Sequence, residues 1–229
     1  MDDVARIKNI YQGRIEKGLI ERYSLFRPGE LYMLQRREEE TLRLLRRQGL
    51  AELRERRILE IGCGRGTRLL DWIRWGMGPD TLVGVDIMAP FINEARNNLP
   101  RAHFAVASGN RLPFRDSEFD IVVQSTVFSS ILDPALRHAV ADEMVRVTSR
   151  QGAILWYDFR YPSPGNPDVR PVAAAEIAAL FPGRTVTSHS LTLLPPLARR
   201  LAPVSVFACR ALEKMFPPLR SHLLAVIRE

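Results

Sequence analysis

The chain has 229 residues, is 46% hydrophobic and carries a formal net charge of +7. That length and apolar content suit one α/β domain with a sizeable core and decorations, and a second full domain is not expected. Every apolar run is broken by Arg, Pro or Asp well before the ~18 residues a bilayer span needs. The start Met-Asp-Asp-Val is not a signal peptide, so the chain reads as cytoplasmic. Cys63 and Cys209 are isolated, without CxxC or His partners at ligand spacing, and support neither a disulfide framework nor a metal site. Only three of the 33 basic residues are lysines. Such Arg-over-Lys usage is what a GC-rich bacterial genome produces, so the charge alone is a weak argument for nucleic acid.

In chain order, residues 1 to 24 space Ile7, Ile10 and Ile15 helically, and Leu31 to Leu53 repeat apolar positions every three to four residues. Two N-terminal helices follow from this, joined by a Phe26-Arg27-Pro28-Gly29 turn. From Arg57, apolar strand-like runs recur at Ile58 to Cys63, Thr81 to Ile87, His103 to Ser108, Phe119 to Ser125 and Ala153 to Phe159, with helix-length segments between them. Such alternation predicts a parallel sheet with helices on both faces. Pro162, Pro164 and Pro167 make the following stretch a loop. Ser188 to Leu194 and His222 to Arg228 are two late strands. Between them, residues 195–218 form an insertion with Leu197, Leu201, Val204, Ala208, Leu212 and Met215 at helical spacing. The layout divides into a helical lid over 1–56 and a core over 57–229.

The chemistry is concentrated in Glu60-x-Gly62-x-Gly64-x-Gly66, at the end of the first strand, with Asp86 at the tip of the second. Glycines let a turn approach a ligand closely, and an acid at the next strand's tip accepts hydrogen bonds from both ribose hydroxyls. The dinucleotide fingerprint asks for a third glycine where Thr67 stands, which disfavours NAD. No lysine occurs between Lys17 and Lys214, which excludes a nucleotide P-loop. A carboxylate at Glu60 repels phosphate and attracts an ammonium group, so the non-ribose end of the ligand is expected to be cationic.

This motif, followed by Arg111-Leu-Pro-Phe-Arg-Asp-Ser-Glu-Phe-Asp-Ile-Val-Val, resembles the class I S-adenosylmethionine-dependent methyltransferases, of the small-molecule type, over about residues 55 to 160. The resemblance implies a seven-stranded, mostly parallel sheet of order 3-2-1-4-5-7-6. It also implies S-adenosylmethionine as cofactor, held by Glu60, Gly62, Cys63, Gly64, Gly66, Asp86, Ile87, Ser108, Gly109, Asn110, Gln124 and Ser125. Ser108 departs from the family, which often has Asp there. Gln124-Ser125-Thr126-Val127 lacks the Pro-Pro turn of base N-methyltransferases and the acids of the metal-assisted members, so no metal is expected.

Asp158 and His189 are the candidate catalytic bases, each with an ordinary alternative as a loop-capping acid beside Arg160 and a strand histidine. Tyr11, Tyr23, Arg27, Tyr161 and Arg170 are the candidate acceptor-binding residues, on segments placed to act as lids. The implied reaction is methyl transfer to an oxygen or nitrogen of a small acceptor, such as a sugar or natural-product intermediate, by a monomer or homodimer. An RNA or protein methyltransferase and a non-catalytic S-adenosylmethionine-binding partner subunit are the rival readings. The insertion reads as a pocket wall or dimer contact, a plain packed helix, or a basic amphipathic patch for peripheral membrane contact.

Overall fold

The computed structural model describes residues 2–18, 24–162 and 166–229. Its strands are β1 (Ile58–Ile61), β2 (Leu82–Asp86), β3 (His103–Val106), β4 (Phe119–Ser125), β5 (Thr148–Phe159), β6 (Thr185–Leu193) and β7 (Arg220–Arg228). The helices are α1 (Asp3–Glu16), α2 (Pro28–Arg47), α3 (Leu69–Arg74), α4 (Ala89–Asn98), α5 (Pro134–Val147), α6 (Ala174–Leu180), α7 (Pro195–Leu201) and α8 (Val206–Met215). The strands form one sheet of order β3-β2-β1-β4-β5-β7-β6. β1 to β5 are parallel, and β7 runs antiparallel to both β5 and β6.

All four residues of β1 are buried, as a central parallel strand covered on both faces requires. One face packs under α5 and α6, where Trp156 is fully buried with its ring centroid 4.1 Å from Phe128 and 6.0 Å from Phe181. The other face is covered by α2 and α3 through Leu44, Leu45, Leu69 and Trp72. Chain direction therefore brings β1, β4 and β5 to a common rim, where a ligand binds in such sheets.

Several expected boundaries move, and the ends of β1, β2 and β3 are one or two residues shorter than their apolar runs. β5 begins at Thr148, directly after α5, rather than at Ala153, and passes a register shift opposite Phe119 and Ile121. β6 and β7 are each extended at their N-terminal ends, because their mutual pairing runs from Thr185–Arg228 to Leu193–Arg220. The 195–218 insertion is two helices rather than one continuous pattern. Pro203 stands between them, and the Ser205 side chain caps α8 by accepting from the Ala208 N–H at 3.1 Å.

Of the two N-terminal helices, α1 lies against the rim and α2 packs along α7, β6 and β7. A polar latch fixes α1. Asp3 accepts from the backbone N–H groups of Leu132 (2.8 Å) and Asp133 (3.0 Å) and from Arg6 (2.6 Å), and Arg6 donates to the Ser130 carbonyl at 2.6 Å. The Asp3 carboxyl is held below its usual range, since these bonds outweigh its desolvation. Charge-assisted bonds of this kind contribute roughly 1.5–3 kcal/mol each, and Ile7 is the single buried apolar residue of the helix. Asp3→Ala is therefore expected to free α1 while the sheet stays folded. Hydrogen exchange should speed up over residues 3–16 with little change in the protection of β1 and β4, whereas unchanged exchange in α1 would show that its apolar contacts suffice.

Candidate S-adenosylmethionine and acceptor cleft

At the rim lies a cleft of about 1010 Å³. One wall is the glycine turn, from Gly62 to Arg68, with Asp86, Ile87, Ser108 and Gly109. The other is formed by α1, the 125–131 segment and the start of α5. The turn keeps this shape because Gly62, Gly64 and Gly66 have φ of 68°, 54° and 75°, values that L side chains rarely adopt. At Gly62 a side chain is also excluded by space, since a Cβ would sit 2.5 Å from Val127 Cγ2.

Asp86 ties the turn to the second strand. Its Oδ2 accepts from the Gly64 N–H and its Oδ1 from the Met88 N–H, both at 2.9 Å. Burial raises its pKa more than these bonds lower it. Each carboxylate oxygen keeps a lone pair for a ligand hydroxyl. Cys63 lines the turn, but burial pushes its thiol well above the ordinary range, which removes thiolate reactivity.

Behind the β1–β4 wall is a small chamber of about 50 Å³, lined by Glu60, Arg37, Arg68, Asp71, Gln124, Ser125 and Tyr157 among others. Arg68 and Ser125 line both spaces. Glu60 Oε2, Gln124 Nε2 and Ser125 Oγ are buried without hydrogen-bond partners, although Gln124 Oε1 accepts from the Val127 N–H at 3.1 Å. Burial raises Glu60 to about 7 against the opposing pull of Arg68 and Arg37. Burial, then Arg37, lowers Arg68 to about 10. Each group is shifted toward its neutral form, which is the signature of two opposite charges that do not close into a pair. Unsatisfied acceptors and donors of both signs suit a zwitterionic ligand end.

β4 ends in strain. Thr126 has φ of 58°, unusual for a β-branched residue and costing of order 1–3 kcal/mol. Its N–H donates to the Tyr157 carbonyl at 2.8 Å, and the turn it makes brings Val127 over Gly62.

The remaining sequence candidates are dispersed. Asn110 is exposed and does not line the cleft. Asp158 is fully buried in β5, where its Oδ2 accepts from the Ser129 N–H (3.1 Å) and its Oδ1 from the Phe159 N–H (2.8 Å). Burial raises it to about 6, and it braces the 128–130 turn from beneath without lining the cleft. His189 sits on β6 at the far side of the sheet, 3.5 Å from Glu40, with its pKa lowered by burial. Tyr11 lines the cleft, edge-on to Phe91 at 6.2 Å. Arg27 is exposed at the start of α2, and Tyr161 lies under Arg160. Arg170 bonds through its backbone to Ser129 and through its side chain to Glu176. None of these three lines the cleft, and Tyr23 lies outside the described residues. Sequence reasoning missed Arg14 of α1, Lys17 just beyond it, Arg68, Asn166 and Asp168, all of which line the cleft. The helical spacing of α1 was readable, but which face meets the rim depends on the Asp3 latch.

No group of three or more His, Cys, Asp or Glu among the described residues is arranged to hold a metal ion, and no described helix is long and apolar enough to cross a membrane.

Residues 58–152 match the family described as a methyltransferase domain. The phthiotriol/phenolphthiotriol dimycocerosates methyltransferase 1 of Mycobacterium ulcerans is 32% identical over 111 residues, 48% of this chain and 40% of that protein. The fatty-acid O-methyltransferase of Mycolicibacterium smegmatis is 32% identical over 112 residues, covering 48% and 39%. The chain thus spans about two fifths of the length of these curated relatives. Among solved structures, magnesium protoporphyrin IX methyltransferase from Synechocystis with bound S-adenosylmethionine superposes with a TM-score of 0.68 at 13% identity, over 100% of this chain and 98% of that one. At that identity the likeness concerns the fold. Residues 58–152 thus match a methyltransferase domain, and the sheet that carries them has the class I methyltransferase fold.

Proposed function

We propose that the protein transfers the methyl group of S-adenosylmethionine to an oxygen or nitrogen of a small acceptor with an apolar body, an aliphatic carboxylate above all. The observation that carries this reading is a cleft with Asp86 and the glycine turn on one wall and a largely apolar opposite wall that offers no free base.

On the first wall, Asp86 would accept from the ribose hydroxyls, and Ile87, Ser108 and Gly109 would flank the adenine. Glu60 and Arg68 would face the ammonium and carboxylate of the methionine end. Bound there, the cofactor supplies a methyl group on a positively charged sulfur, an electrophile that needs an aligned nucleophile and little else. On the second wall, Ile7, Ile10, Ile131, Leu136 and Val140 form an apolar surface, with Arg14 and Lys17 among them. That combination suits an anionic group on an aliphatic chain.

The acids of the cleft are already engaged. Asp86 holds two backbone N–H groups, and Asp168 stands 3.7 Å from Arg6. Asp158 and His189 point their bonding atoms elsewhere. A carboxylate acceptor needs no base, because it is ionised near neutral pH and gives up no proton when its oxygen bonds to carbon. The relatives named for a fatty acid and for phthiotriol/phenolphthiotriol dimycocerosates support an acceptor with an apolar body.

Incubation with methyl-labelled S-adenosylmethionine and a series of medium- and long-chain carboxylic acids should give labelled methyl esters. Label transferred to RNA or to protein side chains and to none of these acids would replace this reading with one of its rivals.

Glu60 provides a second check. Burial pushes its carboxyl up to about 7, above the ordinary value of 4.5. The folded state therefore keeps a proton that the unfolded chain loses across this window, and stability falls as pH rises through it. In the cofactor-free protein, Glu60→Gln should raise stability by about 1–3 kcal/mol at about pH 8 and change it little at about pH 5. The same variant should bind S-adenosylmethionine more weakly. Thermal melts at both pH values with a parallel titration test this, and an equal effect at the two pH values would assign Glu60 a purely structural role.

A further inference from the structure

The α7–α8 excursion takes no part in the cleft, yet it leaves the sheet at the same rim. Leu193 at the end of β6 pairs with Arg220 at the start of β7, and His222 pairs with Phe159 at the end of β5. Segment 194–219 therefore projects from the edge at which β1 and β4 deliver Gly62 and Ser125. α2 starts there too. A Cβ on Gly29 would lie 2.7 Å from the Arg199 Cα, and Arg199 donates to Glu30 at 2.7 Å.

This part of the surface is apolar where water would be expected to select polar residues. Phe26 is 100% exposed, Val204 84%, Phe207 81% and Met215 63%, and Phe216 is half exposed. The inner face of α8 is already committed, with Cys209 buried and Glu213 bonded to Tyr32 (2.5 Å) and Arg36 (3.0 Å). Phe207 and Met215 therefore cannot turn inward without breaking that network.

The exposed charge within residues 195–218 has one sign. Glu213 is the only acid between Pro195 and Pro218, and it is buried, while Arg199, Arg200, Arg210 and Lys214 are exposed. Arg199 and Arg210 are paired to Glu30 and Glu39 of α2. Arg200 and Lys214 have no acidic partner among the described residues. Protruding single aromatics with unpaired cations between them complement a surface that is apolar beneath and anionic at its face.

We propose that this rim docks peripherally on an anionic lipid bilayer, with Phe26, Val204, Phe207 and Phe216 entering below the headgroups and Arg200 and Lys214 meeting lipid phosphates. The proposal goes beyond the methyl-transfer reading and does not rest on it. Docked in this way, the molecule turns the cleft rim toward the membrane.

The test is co-sedimentation of the full chain with vesicles of phosphatidylcholine alone and of phosphatidylcholine mixed with phosphatidylglycerol. The expected result is partition onto the anionic vesicles stronger by about tenfold or more, and weakened by added salt. Two double variants, Phe207→Ser with Phe216→Ser and Arg200→Glu with Lys214→Glu, should each lower that partition by about tenfold or more. Their circular dichroism and thermal melts should match the wild type. Absence of binding to anionic vesicles, or binding that both folded double variants retain, would overturn the proposal. So would a wild-type self-association in sedimentation velocity that the Phe207/Phe216 variant abolishes without any vesicle binding, because the patch would then be an interface between copies of the chain.

Discussion

The carboxylate of Asp86 ties three segments to one point, beside the Gly62 and Cys63 N–H groups that donate to the Val85 carbonyl. It takes the N–H of Gly64 from the turn after β1 and the N–H of Met88 at the start of α4, while standing at the tip of β2 itself. Turns made of glycines are conformationally loose, and Gly62, Gly64 and Gly66 need the left-handed region of φ. Two charge-assisted bonds to a fixed acid restrict that freedom at roughly 1.5–3 kcal/mol each. The group that would bind the ribose is thus also the group that shapes the turn, so the site is organised before a ligand arrives.

Behind this anchor the electrostatics are left open. Glu60 and Arg68 are both moved toward their neutral forms by burial, and Glu60, Gln124 and Ser125 each keep a buried polar atom without a partner. A fold under selection for stability alone would close or replace such groups. Their position next to the cleft fits the zwitterionic ligand end proposed above. Asp158 has the opposite character. Both its oxygens are occupied by backbone N–H groups of the 128–130 turn and of its own strand, so its raised pKa reflects the burial of a structural brace.

The sheet was legible because parallel strands buried on both faces read as unbroken apolar runs. Glycine and proline punctuate them, and the acid–glycine spacing after β1 has few structural meanings. Strand ends were less legible where pairing rather than composition sets the length: β6 and β7 extend over Thr185, Thr187 and Arg220 because their partners continue. The polar wall of the cleft followed from the motif, whereas the roof did not. The face of α1 that meets the rim depends on Asp3 reaching Leu132 and Asp133, more than 120 residues away. Arg68 was passed over because it lies outside the glycine pattern, and no local signal announces its place between the cleft and the chamber behind it. Asp158 and His189 had the right chemistry for a base, but the register of β5 and β6 points their bonding atoms away from the cleft.

The claim on which the rest depends is that Asp86 and the glycine turn form a preorganised nucleoside site. Calorimetric titration of S-adenosylhomocysteine into the wild type and Asp86→Ala tests it most directly. Saturable binding to the wild type is expected, weakened by about 1–3 kcal/mol in a folded Asp86→Ala variant. Equal affinities, or no binding by the well-folded wild type, would contradict it.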